Sequence, residues 1–177
     1  MMGHLMADDV TTDATRFGLP VRVVPLVKAG VVLGIGLGGF VDGIVLHQLL
    51  QVHHMVSARR PPTTMAGMEA NVVADGLFHA GTYLFTIVGI VLLYRAWRHP
   101  AVPPAGRTIF GSVLMGFGLF NLVEGVVDHH LLVLHRVWPA GPGPPLLWDV
   151  LFLLSGVALL VGGYAIARSD SAVASER

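Results

Sequence analysis

Phe40-Val41-Asp42-Gly43-Ile44-Val45-Leu46-His47-Gln48-Leu49-Leu50-Gln51-Val52-His53-His54 lines up without a gap against Leu122-Val123-Glu124-Gly125-Val126-Val127-Asp128-His129-His130-Leu131-Leu132-Val133-Leu134-His135-Arg136. Acid matches acid, Gly43 matches Gly125, and His47 and His53 match His129 and His135 at identical spacing. The surrounding residues are apolar, so each copy reads as helix. Ionisable groups inside apolar helices are costly and by default mark a functional site.

The rest of the chain points to a membrane. Of 177 residues, 54% are hydrophobic and 12% charged, and the mean hydropathy is +0.70, well outside the balance of a soluble domain. There is no cysteine, which excludes thiolate metal sites, disulfides and thiol catalysis. A metal would have to be held by His, Asp, Glu, Met or backbone. The first 22 residues are polar, with Asp8, Asp9 and Asp13 among small residues. They lack the basic start and apolar run of a signal peptide, so a retained tail is expected.

Four apolar segments are long enough to span a bilayer, which takes roughly 20 helical residues. They fall at 25–54, 66–96, 107–136 and 147–168. Arg59-Arg60-Pro61-Pro62, the prolines between His99 and Gly106, and the Pro/Gly run from Trp138 to Pro145 break them. Asp75-Gly76-Leu77-Phe78 also matches Asp149-Val150-Leu151-Phe152. The expected fold is therefore all-α: an integral membrane four-helix bundle of two tandem helical-hairpin repeats, with a pseudo-two-fold axis along the membrane normal. The expected organisation is a tail at 1–24, hairpins at 25–98 and 107–168, a linker at 99–106 and a tail at 169–177. Arg16, Arg22, Lys28, Arg95, Arg98, Arg107, Arg168 and Arg177 lie on the side of both termini, against Arg59, Arg60 and Arg136 on the other. That bias predicts an inner (plasma) membrane protein with cytoplasmic termini. Gly30, Gly34 and Gly38 form a small-residue stripe that lets helices approach closely, within the chain or across a homodimer. The Gly34-x-Gly36-x-x-Gly39 match to a dinucleotide motif has no preceding strand and reads as accidental. The bilayer, and no nucleic acid, is the expected partner.

On an α-helical wheel with Asp42 at zero, His53, Leu46, Leu50, Gly43, His54 and His47 all fall within about 140°. The same arc on the third helix holds Glu124, His135, Asp128, Gly125, Arg136 and His129, and leaves His130 outside. Asp75 and His79 are four apart, so they share a face of the second helix. Asp42, His47, Glu124, Asp128 and His129 lie late in outward-running helices, while Asp75, His79 and Asp149 lie early in returning ones. All eight are expected in the outer half of the bilayer. No Lys or Arg is expected at that depth, and buried negative charge must be protonated or balanced by a cation. The expected ligands are His47, His79, His129, Asp42, Asp75 and Glu124. Asp128, Asp149, His53, His54 and His135 are expected as outer-shell partners or alternative ligands, Asp149 also suiting a helix start. His4 and His99 read as solvent groups, and Trp97, Trp138 and Trp148 as interfacial belt residues.

The runs Gly39 to Met55, Asp75 to His79 and Phe120 to His129 resemble the bacterial membrane family catalogued as domain of unknown function 2243, with a likeness spanning all four helices. The resemblance implies a four-helix membrane protein and assigns no activity. Its members are often found with cytochrome oxidase assembly proteins, which favours copper. Many relatives carry a second histidine where this chain has Arg136, which argues against a ligand there and, through the alignment, against His54. Mixed His and carboxylate ligation suits one or two ions of copper, then iron, then zinc, over calcium or magnesium. The expected function is redox chemistry on oxygen, superoxide or a quinol, or copper handling linked to respiratory oxidase assembly, with a substrate or metal donor on the outer face. The alternatives are a zinc-dependent intramembrane hydrolase, with Glu124 or Asp128 as base, and a b-type cytochrome with His47 and His129 as axial ligands.

Overall fold

The computed structural model describes residues 15–175, with side chains described for 15–169. His4 and residues 1–14 of the expected tail lie outside the described residues. A short hairpin, β1 (Thr15–Arg16) and β2 (Leu19–Pro20), precedes four long helices: α1 (Val24–Val41), α2 (Met65–Trp97), α3 (Gly106–Val126) and α4 (Pro145–Ser175). Two π-helical segments, Asp42–Leu49 and Val127–Leu131, extend α1 and α3. All four helices are long and apolar enough to cross a membrane. Local chemistry sets their starts. Pro25 sits in the first turn of α1, where its missing N–H costs nothing. Thr64 caps α2 by accepting a hydrogen bond from the Gly67 N–H at 3.1 Å.

Packing runs in the order α2, α1, α3, α4, so α1 and α3 form the central pair. Burial follows: α1 and α3 are the more buried helices, and α2 and α4 the more exposed. The outer helices present Val72, Leu77, Leu84, Leu151 and Leu154 outward, as a lipid-facing surface does. Glycines make the central crossing possible. A Cβ on Gly34 would lie 3.0 Å from the Gly116 Cα, and one on Gly116 would lie 2.9 Å from the Gly34 Cα. Gly30 and Gly38 likewise face α3, at Ser112 and Phe117, so the whole small-residue stripe is used inside the chain.

At one end Leu26, Ala96 and Ala105 pack together with Leu93, Val102 and Ile109, joining the α2–α3 connection to α1. At the other end the loops 50–64 and 132–144 are knitted together. The Ala58 N–H donates to Leu134 O at 2.9 Å, and Arg59 donates to Leu132 O.

The helices leading into that end stop earlier than their hydropathy suggests, at Leu49 and Leu131 rather than 54 and 136. Each ends the same way. Leu50 and Leu132 donate five residues back, Val52 and Leu134 donate six back to Leu46 and Asp128, and Gln51 and Val133 between them take φ of 49° and 48°. A left-handed residue of this kind ends a helix, although glycine is its usual occupant. With Gln and a β-branched Val there, nothing in the local sequence announces the stop.

Gly34→Ala should lower thermal stability by about 1–3 kcal/mol, because the crossing cannot admit a methyl group. Gly76→Ala, on a helix face with nothing within 4 Å of the added carbon, should leave it unchanged or raised. Equal melting temperatures for the two variants in detergent would contradict the close α1–α3 approach.

Candidate metal centre

The π-helical turns decide which side chains meet. On an α-helix, residues five apart diverge by about 140°, whereas a π turn bonds i to i+5 and brings them onto one face. Asp42 and His47 are five apart, and His47 Nε2 lies 3.1 Å from Asp42 Oδ2. Glu124 and His129 have the same spacing at the α3–π junction.

The loops then return over these residues. His53 Nδ1 lies 2.7 Å from Val137 O, and His135 Nδ1 lies 3.0 Å from Met55 O. A carbonyl only accepts, so both Nδ1 atoms carry the proton and both Nε2 atoms keep a lone pair. Each ring is therefore oriented by the other loop's backbone. The loops are themselves anchored by carboxylates, as the Met55 N–H donates to Asp75 Oδ1 at 2.8 Å and the Val137 N–H to Asp149 Oδ1 at 3.0 Å.

Six side chains converge as a result: Asp42, His47, His53, Glu124, His129 and His135, each at most 4% exposed. They form three overlapping groups whose ligand atoms lie within 4.8 Å of one another: His47, His53 and His135; Glu124, His129 and His135; Asp42, His47 and Glu124. His129 Nε2 and His135 Nε2 are 3.1 Å apart, and Glu124 Oε1 is 3.5 Å from His135 Nε2. The rings of His53 and His135 stack at 4.5 Å and 8°. Phe78 and Phe152 wall the site, 5.6 Å from His47 and 5.3 Å from His129.

Several of these atoms are buried without a hydrogen-bond partner: Asp42 Oδ2, both nitrogens of His47, His53 Nε2, both oxygens of Glu124 and His129 Nδ1. The His47 nitrogens are near carboxylate oxygens but out of line for hydrogen bonds. Unpartnered buried polar atoms are costly. Atoms bound to one ion at about 2.0–2.1 Å, at angles of about 90–110°, lie roughly 2.8–3.4 Å apart. The short separations of 3.1 Å fit that range, and the residues present fit a transition-metal ion.

The other expected site residues surround this group. Asp75 accepts from His54 Nδ1 at 2.8 Å and from Gln48 Nε2 at 3.3 Å, and lies 3.0 Å from His47 Nδ1. Asp149 lies 3.9 Å from His129 Nδ1 and accepts from Arg136 at 2.5 Å. That contact corrects the expectation that no basic side chain reaches this layer: once the helix ends at Leu131, Arg136 folds back with its loop. His79 stands apart from the convergent groups. Its Nδ1 lies 2.8 Å from Asp75 O on its own helix, and Gly43 leaves room for its ring. Asp128 is half-buried, and His130 Nδ1 bonds Gly125 O at 2.6 Å. The parts that sequence reasoning missed are the carbonyls of Met55 and Val137. The twice-repeated five-residue interval between acid and histidine was the available signal for the π turns.

Residues 29–170 match the family described as Predicted membrane protein (DUF2243). The chain belongs to this family. Membership carries membrane character and no assigned activity, and no curated protein and no solved structure matches the chain. The site must therefore be read from its own chemistry.

His53 and His135 lie in the loops, outside the spans. Burial first, and the adjacent His135 ring second, push the His53 pKa down to about 3; burial likewise lowers that of His135. Between about pH 3 and the ordinary 6.5, the unfolded chain binds a proton that folded His53 does not. This contribution is flat above that window, and stability falls as pH drops through it. The metal-free protein should lose thermal stability on acidification from about pH 6.5, with His53 neutral by NMR at about pH 5. A protonated His53 at that pH would contradict the buried, carbonyl-bound ring.

Proposed function

We propose that this chain is an integral membrane metalloprotein whose Asp42, His47, His53, Glu124, His129 and His135 bind one or two transition-metal ions. Copper ranks first, iron second and zinc third. One observation carries the reading: four imidazoles and two carboxylates from two helices and two loops point buried, largely unpartnered donor atoms at one another. The ion pairs of Asp42 and Glu124 among the described residues are to histidines alone, so a bound cation supplies the balancing charge. The all N/O donor set supports copper, iron or zinc over calcium and magnesium. Tight ring packing beside carboxylates supports a bare ion over a haem.

His53 and His135 act as ligands through Nε2, held by the Val137 and Met55 carbonyls. Asp75 and Asp149 stand behind His47 and His129, 3.0 and 3.9 Å from their Nδ1 atoms, and would orient the rings once a metal is bound, the support that metal-bound imidazoles ordinarily have. When bound, the ion supplies electron transfer or Lewis acidity. The charge bias of the loops supports a site in the outer half of the plasma membrane, with both termini cytoplasmic. In that setting it works on oxygen, superoxide or a quinol, or handles copper for respiratory oxidase assembly. The aligned contacts of the two halves support two hairpin repeats about a pseudo-two-fold axis.

Elemental analysis of protein purified from its native host should find at least one equivalent of copper, iron or zinc. His47→Ala combined with His129→Ala should remove it. Asp75→Asn should keep the ligands but weaken affinity by about 10- to 100-fold. A colourless, zinc-only protein would favour hydrolysis, and unchanged metal content in the double variant would refute the site.

A further inference from the structure

Between the two loops a cavity of about 450 Å³ opens beside the centre, lined among others by His53, His54, Ser57, Ala58, Met68 and Arg136. His53 is the only one of the six convergent residues on this wall. A molecule entering here reaches the centre along one ligand. The charges around the cavity are layered. No acidic side chain among the described residues lines it. The nearby carboxylates are behind the wall: Asp149, fully buried, is covered by Arg136, whose side chain remains 36% exposed, and Asp75 is covered by His54. Asp149 fixes the guanidinium by one nitrogen, and Arg keeps its positive charge at any working pH. A visitor therefore meets the cationic end of each pair first. Arg59 and Arg60 stand exposed on the same loop.

We propose that this vestibule admits a small anion to the metal centre and selects against free metal cations, with Arg136 as its specificity-determining residue. The inference rests on the metalloprotein reading and deepens it. Among the substrates considered above it favours superoxide over oxygen or a quinol, and it disfavours delivery of a metal ion by this route. A positive wall beside a ligand concentrates anions at the site and repels cations. It also offers charge-assisted hydrogen bonds to an anionic oxygen.

The test is titration of the metal-loaded protein with azide, followed by its absorption bands, beside titration with neutral imidazole. Arg136→Gln should weaken azide binding about tenfold, and Arg136→Lys should restore most of it. Because Arg136→Gln also strips Asp149 of its partner, Ala58 on the exposed rim gives an independent arm. Ala58→Glu should weaken and Ala58→Lys strengthen azide binding by about two- to five-fold, with imidazole affinity and metal content unchanged. Metal-loaded variants that all bind azide as the wild type does would overturn the vestibule proposal and leave the metal reading standing. Protein that takes up no metal would overturn both.

Discussion

Two carboxylates, Asp42 and Glu124, are buried together between apolar helices, and their ion pairs among the described residues are to imidazoles. Everything around them serves to make that tolerable. The glycines of α1 and α3 let the central helices approach closely. The π-helical turns then rotate His47 and His129 back toward the acids, and the loops fold inward to add His53 and His135. Two acids together in a low-dielectric interior must share a proton or be balanced by positive charge. His53 and His135 offer lone pairs here through Nε2, and under the proposed function a metal ion supplies that charge.

The loops explain why the rings hold their orientation. Reciprocal bonds from His53 to Val137 O and from His135 to Met55 O tie each ring to the opposite loop. Asp75 and Asp149 hold the adjacent backbone N–H groups. Neither half can orient its inner histidine without the other, so the centre exists only when both loops are in place. The halves differ where it affects approach from outside. His54 covers Asp75, while Arg136 covers Asp149 with a permanent charge.

Much of this was legible in the residues. Four apolar runs marked the four helices, and four of the six convergent residues, Asp42, His47, Glu124 and His129, were expected as ligands from the repeated acid and histidine alone. The other two, His53 and His135, are as buried as the rest but were expected only as outer-shell partners or alternative ligands, because hydropathy carries α1 and α3 past their true ends. Gln51 and Val133 stop those helices in a backbone conformation that neither residue advertises. The wheel placed acid and histidine at opposite edges of one arc, whereas the π turn makes them a contact. Arg136 illustrates the same point: expected on the third helix, it lies in the loop beyond Leu131 and against a buried carboxylate.

X-ray absorption of the metal-bound protein probes this centre most directly. Coordination by these residues gives a first shell of nitrogen and oxygen at about 2.0–2.1 Å with the outer-shell scattering of several imidazoles. A shell dominated by sulfur from methionine, or one lacking the imidazole signature, would contradict it.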